Sequence, residues 1–160
     1  MDKTNVNKII LVSLCDKWTA DVGKTLSQSL GMMFCDVKDL VEYELIDKDR
    51  IEKLCSKEYL IESERKVIRH VASFENVVVA ISFDYFANNQ PILKKESLMI
   101  FLDAPKKYIE ENAGAIAAIS YDAREKTARE FTDIVVSVKK TDKEFVCKKI
   151  IETLRGMLWT

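Results

Sequence analysis

The chain has 160 residues, 48% of them hydrophobic, which is enough for a sizeable core, and we predict one domain over residues 1–160. Its 25 basic and 26 acidic residues give a net charge of -1, which argues against nucleic acid or an anionic membrane as a partner. No apolar run approaches the roughly 18 residues of a membrane span, and the four cysteines form no C-x-x-C pair, so we expect a soluble, cytoplasmic protein without a metal site.

The first predicted unit, over residues 8–36, has the order strand, loop, helix and strand. Ile9–Leu14 is an apolar, β-branched run that predicts a buried strand, and Met32–Asp36 predicts a second one. Between them, apolar residues recur at helical spacing and stop at Gly31. A unit of this kind binds phosphate when glycines let successive backbone N–H groups of the loop turn toward the anion. The loop here, SLCDKWTA, contains no glycine.

Helices and strands alternate along the rest of the chain. Helices are predicted over 37–46, near 51–54, over 57–72, near 92–95, and over 105–114, 121–132 and 145–158; strands are predicted over 76–81, 98–103 and 134–138. Residues 82–91 are expected to connect a strand to a helix, and Thr141-x-x-Glu144 predicts a capping box. This alternation favours right-handed βαβ units and a parallel sheet with helices on both faces. Ligands of such sheets bind beyond the carboxyl ends of the strands.

The first loop and helix resemble those of shikimate kinase, a small P-loop kinase. That family has G-x-x-G-x-G-K-S-T-V-G-K-x-L-A-x-x-L-G, and this chain has SLCDKWTADVGKTLSQSLG in the same register without a gap. The resemblance implies a P-loop NTPase fold, with three α/β/α layers around a five-stranded parallel sheet. It also implies that an active member would phosphorylate shikimate, or a similar small hydroxy acid, with ATP and magnesium.

The residues that would handle phosphate in this family are replaced in the chain. Ser13, Asp16 and Trp18 stand where the loop glycines would be, Thr19 stands at the catalytic lysine, and Ala20 stands at the magnesium-holding hydroxyl. A neutral threonine cannot meet the terminal phosphates as a lysine does. By this resemblance, the phosphate loop is degenerate.

An alternative phosphate motif is Gly23-Lys24-Thr25, which reads G-K-T. Its spacing is unfavourable, because the glycine required five places earlier is Trp18. Only seven residues from Lys24 to Gly31 would remain for the helix that follows the motif. The V-G-K of the shikimate kinase pattern accounts for these residues better.

The substrate positions implied by the resemblance are also changed. Asp36 matches the first aspartate of the family's F-x-D-x-D, but Lys38 replaces the second, which accepts hydrogen bonds from the substrate. Ile61 replaces the arginine of F-R-x-x-E, and Ser82-Phe83-Asp84 replaces a G-G-G. The segment that corresponds to the family's lid contains no arginine.

Two candidate substrate-binding residues remain, Arg124 and Asp36. Arg124 lies eight residues before Thr132, where the family has a second arginine that binds the substrate carboxylate. The alternative interpretations are a solvated arginine on a charged helix for Arg124 and a helix cap for Asp36.

These observations support two functional hypotheses. In the first, the domain has lost ATP binding and phosphoryl transfer, uses no cofactor, and acts as a binding or regulatory domain for a protein partner or a small anionic metabolite. In the second, it is a divergent shikimate kinase that uses ATP and magnesium. The first is favoured, because phosphoryl transfer depends on positioning and charge neutralisation by groups that are missing here. We also expect the Trp18 indole to fill the vacated phosphate site near Phe83 or Tyr85.

Overall fold

The computed structural model describes residues 6–45, 48–94, 97–114, 117 and 119–158. Five parallel strands form one sheet in the order β2-β3-β1-β4-β5: β1 (Lys8–Val12), β2 (Met33–Asp36), β3 (Val77–Ile81), β4 (Leu98–Asp103) and β5 (Ile134–Ser137). The helices are α1 (Asp16–Leu30), α2 (Val37–Leu45), α3 (Lys48–Leu54), α4 (Lys57–Ser73), α5 (Phe83–Leu93), α6 (Lys106–Asn112), α7 (Tyr121–Phe131) and α8 (Lys143–Leu158). The predicted three-layer α/β/α fold with a five-stranded parallel sheet is confirmed.

The core lies around the three inner strands. Every residue of β1 and β3 is buried, as a parallel sheet covered by helices on both faces requires. Ile10 of β1 is in register with Val79 of β3 on one side and Met99 of β4 on the other. Helix α1 packs on β1 and β3 and against α8, while α4 packs against α2, α3 and α5. None of the helices in the described part of the chain is long and apolar enough to span a membrane.

Two glycines fix the course of α1. Gly31 ends the helix in the left-handed region, with φ 66°, and its N–H donates to Gln28 O. Gly23 lies in the middle of the helix, where a Cβ would come within 2.9 Å of Cε1 of Phe34 on β2. The absence of a side chain at Gly23 lets α1 lie close to the sheet. Because Gly23-Lys24-Thr25 lies within this helix, the alternative G-K-T motif does not form a phosphate-binding loop.

The prediction for residues 82–91 is wrong. These residues form most of α5, which begins directly after β3 because the Ser82 hydroxyl accepts a hydrogen bond from the Tyr85 N–H at 3.2 Å. The helix contains Pro91, and Asn89 leaves the helical region there with φ -132° and ψ 15°. Proline removes a helical donor and clashes with the preceding turn, so the kink accommodates it.

The capping box predicted at Thr141 is also wrong. Asp142 caps α8 instead, because its carboxylate accepts a hydrogen bond from the Phe145 N–H at 3.2 Å. The Thr141 carbonyl accepts a hydrogen bond from a distant side chain, which is described below.

Candidate functional site

The connection between β1 and α1 is much shorter than the sequence predicts. Strand β1 ends at Val12 and α1 begins at Asp16, so only Ser13, Leu14 and Cys15 lie between them. The Thr19 N–H donates to Cys15 O at 3.1 Å, which is an ordinary helical bond. An N–H group in such a bond does not turn toward a phosphate. The residues expected to form the second half of the loop are therefore the first turns of α1.

Two buried hydroxyl groups close this connection. Ser13 and Thr19 are 0% and 1% exposed, and their hydroxyl oxygens lie 2.5 Å apart. Each oxygen is also close to the Cys15 carbonyl, at 2.9 Å from Ser13 and 3.1 Å from Thr19. Because a hydroxyl has one proton, one group donates to the carbonyl and the other donates to its neighbour. The position of the family's lysine is thus occupied by a neutral side chain bonded inside the protein.

Trp18 is buried, but not beside the predicted neighbours. Its indole is 4% exposed, its Nε1–H donates to Thr141 O at 2.8 Å, and its ring meets that of Tyr108 edge-on at 5.7 Å. The expectation of Phe83 or Tyr85 as neighbours is wrong. The reason is the early start of α1: residues two apart on a helix point roughly 200° apart. Asp16 faces α5, so Trp18 faces α6 and the connection that precedes α8.

Asp16 occupies the first turn of α1 and faces the start of α5. The Phe83 backbone N–H donates to its carboxylate, which tends to lower the pKa of this group. Desolvation is the larger effect, and it raises the pKa of Asp16. The charge of Asp84 adds to this increase, whereas the charges of Lys38 and Arg124 reduce it. A carboxylate thus lies where a helix N-terminus would otherwise attract phosphate.

Arg124 is not the solvated arginine of the alternative interpretation. Its side chain is 21% exposed, and its guanidinium carbon lies 4.9 Å from the centre of the Phe83 ring. Nε donates to the Ser120 hydroxyl at 2.7 Å, and an Nη atom lies 3.5 Å from the Asp84 carboxylate. These contacts hold the guanidinium at the carboxyl edge of the sheet.

Asp36 has the contacts of a helix cap. Its carboxylate accepts a hydrogen bond from the Lys38 N–H at 3.1 Å, in the first turn of α2. Burial and the charge of Asp39 raise the pKa of Asp36. The contact that the structure gives this side chain is therefore with its own helix.

A cavity of about 320 Å³ brings several of these residues together, between α1 and the ends of β2 and β3. Ala20, which matches the family's magnesium-holding position, lines it together with Asp36. Its charged lining residues are Asp16, Asp21, Asp36, Asp39, Lys17 and Lys38. Four carboxylates against two ammonium groups give a net charge of -2, which is unfavourable for a phosphate.

Sequence reasoning missed a second cavity, of about 560 Å³, beyond the ends of β4 and β5. Lys106, Lys139 and Lys149 line it together with Asp103 and Glu125. Arg129 pairs with both carboxylates, at 2.7 Å and 2.9 Å. These residues come from four separate segments, so no local sequence pattern marks them.

ATP and magnesium, the groups that the family resemblance implies, do not fit the residues at the end of β1. Thr19 offers a buried, internally bonded hydroxyl in place of an ammonium group, Ala20 offers no oxygen ligand, and Asp16 would repel a phosphate. Within the described residues, no group of three or more His, Cys, Asp or Glu side chains is arranged to hold a metal ion.

Comparison with known proteins supplies the family. A family model described as shikimate kinase matches residues 20–155, beginning immediately after Thr19. The shikimate kinase from Acinetobacter baumannii in complex with shikimate matches the structure with a TM-score of 0.80 at 16% identity, covering 96% of this chain and 95% of that chain. The Aquifex aeolicus shikimate kinase matches with a TM-score of 0.79 at 24% identity, covering 93% of this chain and 96% of that chain.

A more distant match has the same fold. A gluconokinase from Sinorhizobium meliloti 1021 has a TM-score of 0.60 at 14% identity, covering 94% of this chain and 93% of that chain. No curated protein matches the chain. The structural matches establish the fold, and the family model covers most of the chain. The chain belongs to the shikimate kinase family and has its P-loop NTPase fold.

Proposed function

We propose that this member of the shikimate kinase family has lost ATP binding and phosphoryl transfer and acts as a non-catalytic binding or regulatory domain. The observation that carries the proposal is the start of α1 at Asp16, with Thr19 buried and bonded to Ser13 and Cys15. A phosphate-binding loop needs free backbone N–H groups and a lysine at this point. The chain offers a three-residue connection and a threonine.

The expected loss of rate is large. Phosphoryl transfer relies almost entirely on positioning and on neutralising the charge of the transferred group. Removing a single preorganised donor costs roughly 10²–10³ in kcat in well-studied hydrolases. Here the lysine, the metal-holding hydroxyl and the lid arginine are all replaced, so we expect no measurable turnover.

A small anionic metabolite is the second candidate ligand, with Arg124 as its binding residue. Arg124 is held by Phe83 and Ser120, while its ion pair with Asp84 is long, at 3.5 Å, and the Asp84 side chain is 74% exposed. Such an exposed pair contributes little. A ligand carboxylate could therefore displace Asp84 from the guanidinium. Asp36 lines the cavity next to Asp16 and caps α2, so its proposed part is to hold the start of that helix.

The turnover assay is the direct test of the main proposal. Purified protein is mixed with ATP, magnesium and shikimate, and ADP release is coupled to NADH oxidation, with the Aquifex aeolicus shikimate kinase as the positive control. We expect the rate of a buffer blank. A shikimate-dependent rate near one per second, within the usual range of kinases, would overturn the proposal in favour of a divergent active enzyme.

Nucleotide binding is tested separately through the fluorescence of Trp18. Trp159, which lies outside the described residues, is replaced by Phe so that the emission reports position 18 alone. We expect blue-shifted emission that millimolar ATP with magnesium leaves unchanged, because the indole is buried against Tyr108. Red-shifted emission quenched by ATP would mean an open loop that still binds nucleotide.

Calorimetry with shikimate distinguishes a metabolite-binding domain from a domain that binds only protein. Arg124→Ala is compared with Arg69→Ala, which removes an exposed arginine from α4. Micromolar binding that only Arg124→Ala abolishes would establish the metabolite role. Binding that is equally weak in all three proteins would leave a protein partner as the ligand.

A further inference from the structure

A groove of about 800 Å³ runs along the outer edge of β2. Its floor and walls include Met33 and Phe34 of β2, Leu40 and Tyr43 of α2, and Phe74 after α4. Met33 is 67% exposed and Tyr43 is 79% exposed. Large apolar side chains left in water beside a groove are typical of a binding surface.

The groove presents backbone groups as well as side chains. β2 stands at the end of the strand order, with β3 as its neighbour in the sheet. All four of its residues line the groove, although their side chains alternate between the two faces. The groove therefore follows the edge of the strand. The Met33 N–H donates to Asn76 O on the β3 side, so the N–H and C=O of Phe34 face the other way.

The charge of the groove selects the kind of partner. Asp36, Asp39 and Glu75 line it, and none of the lining residues is basic. The negative charge also affects the Cys35 thiol. Burial, followed by the charges of Asp36, Asp39 and Glu44, raises the pKa of this thiol to about 11. A second copy of this chain would bring the same carboxylates to the interface. A basic partner would neutralise them.

We propose that this groove binds an extended segment of a partner protein in which apolar and basic residues alternate, and that the segment adds to the sheet as a sixth strand beside β2. Backbone hydrogen bonds to the strand edge would give affinity, and the alternating side chains would meet the apolar floor and the acidic rim. The four residues of β2 span roughly 13 Å at about 3.3 Å per residue, which suits a segment of about four to six residues.

This proposal goes beyond the loss of phosphoryl transfer. Asp36 and Asp39 line the groove as well as the cavity beside α1, but no residue of α1 lines the groove, and neither does Arg124. The peptide experiment and the turnover assay can therefore fail independently.

The test uses three fluorescein-labelled peptides of eight residues in fluorescence anisotropy with the full chain. The first alternates Lys and Val, the second has Glu in place of Lys, and the third is the first with alternate backbone nitrogens methylated. We expect the first to bind at least roughly tenfold more tightly than the others, a factor that corresponds to about 1.4 kcal/mol. Methylation matters because it removes the donors of a β-ladder without altering the charge.

Protein variants locate the contact. Asp39→Lys should weaken binding of the lysine peptide roughly tenfold, whereas Asp122→Lys makes the same charge change on α7, outside the groove, and should have no effect. The amide signals of Phe34 and Asp36 should shift in a ¹⁵N spectrum on titration with this peptide.

The proposal is overturned if the glutamate or the methylated peptide binds as well as the lysine peptide, or if the two variants weaken binding equally. A concentration-dependent dimer in sedimentation that Asp39→Lys strengthens would assign the groove to a second copy and would also overturn it. A kinase rate in the turnover assay would contradict the proposed function and leave the peptide result intact.

Discussion

The two halves of the sheet's carboxyl edge differ in how they are filled. In the half next to β4 and β5, which we call the closed half, Ser13, Thr19 and Trp18 are buried. The two hydroxyl groups bond to each other, and the indole bonds to the Thr141 carbonyl. The half next to β2 and β3, which we call the charged half, contains Asp16 and Arg124. Asp16 is close to both positive and negative groups, and Arg124 makes a long ion pair with Asp84. One half has become part of the core, and the other has kept a polar surface.

The difference shows what each half is free to do. Reopening the closed half would expose an indole and break its hydrogen bond to Thr141, so we expect the folded state to oppose nucleotide binding. In the charged half, the Arg124–Asp84 pair is largely exposed at Asp84, and exchanging one carboxylate for another costs little. The proposed small anion would therefore bind at Arg124 and not in the acidic cavity beside α1, and we expect no triphosphate to bind in the closed half.

The largest expected effect comes from an attempt to rebuild the phosphate loop. Trp18→Gly with Thr19→Lys removes a buried aromatic ring and places an ammonium group at a position that is 1% exposed. We expect a loss of unfolding free energy of at least about 3–5 kcal/mol, measured by urea denaturation, and no gain of ATP binding by calorimetry. Micromolar ATP affinity in this variant would mean that the loop is only latent.

A control substitution at an exposed aromatic residue shows whether the loss of stability at Trp18 comes from its burial or simply from removal of an aromatic ring. Tyr59 lies on α4 and is 56% exposed, so Tyr59→Ala should change the unfolding free energy by no more than about 0.5 kcal/mol. A similar loss in Tyr59→Ala and Trp18→Ala would contradict the closed half as a packed region.

The frame of the fold was predictable because it depends on local patterns. Apolar runs marked the inner strands, and Gly31 marked the end of α1, where the structure has a left-handed glycine. Asp36 and Ala20 were both expected at the site, and they line one cavity. These features follow from the spacing of apolar residues and from the signals that end a helix, and both can be recognised in a single sequence.

The closed half was not predictable in the same way. Helix α1 begins after Cys15, which makes no side-chain cap hydrogen bond, so the usual signal of a helix start is missing there. The contact of Trp18 with Tyr108 joins residues far apart in the chain and leaves no local pattern. For α5, the Ser82 cap was available as a signal, but Pro91 argued against a helix.

A smaller effect is expected from the hydroxyl pair in the closed half. Thr19→Val keeps the shape of the side chain and removes the hydroxyl that lies 2.5 Å from Ser13. We expect a loss of about 1 kcal/mol of unfolding free energy, the net value of a typical hydrogen bond. Thr127→Val is the control, because the Thr127 hydroxyl bonds the Ala123 carbonyl on an exposed face of α7. Equal losses in the two variants would mean that the buried pair contributes nothing specific.

The smallest effect tests the charged half through Asp16→Asn. Desolvation raises the pKa of Asp16 above 3.8 in the folded protein, so the folded state binds this proton more tightly than the unfolded chain does. Between 3.8 and the raised pKa, the wild-type protein therefore loses stability as the pH rises, and above that window the cost is constant.

Asparagine keeps an acceptor for the Phe83 N–H and removes the charge. We expect Asp16→Asn to be more stable than the wild type by less than about 1 kcal/mol near neutral pH, because the carboxyl is partly exposed and solvent screens its charge. The gain should disappear below pH 3.8.

Asp122→Asn is the matched control, since Asp122 also lies in the first turn of a helix and its loss removes the same dipole interaction. Urea midpoints measured at several pH values should separate the two variants, and a gain in Asp16→Asn that persists unchanged at low pH would show that desolvation of this carboxylate is not its cause.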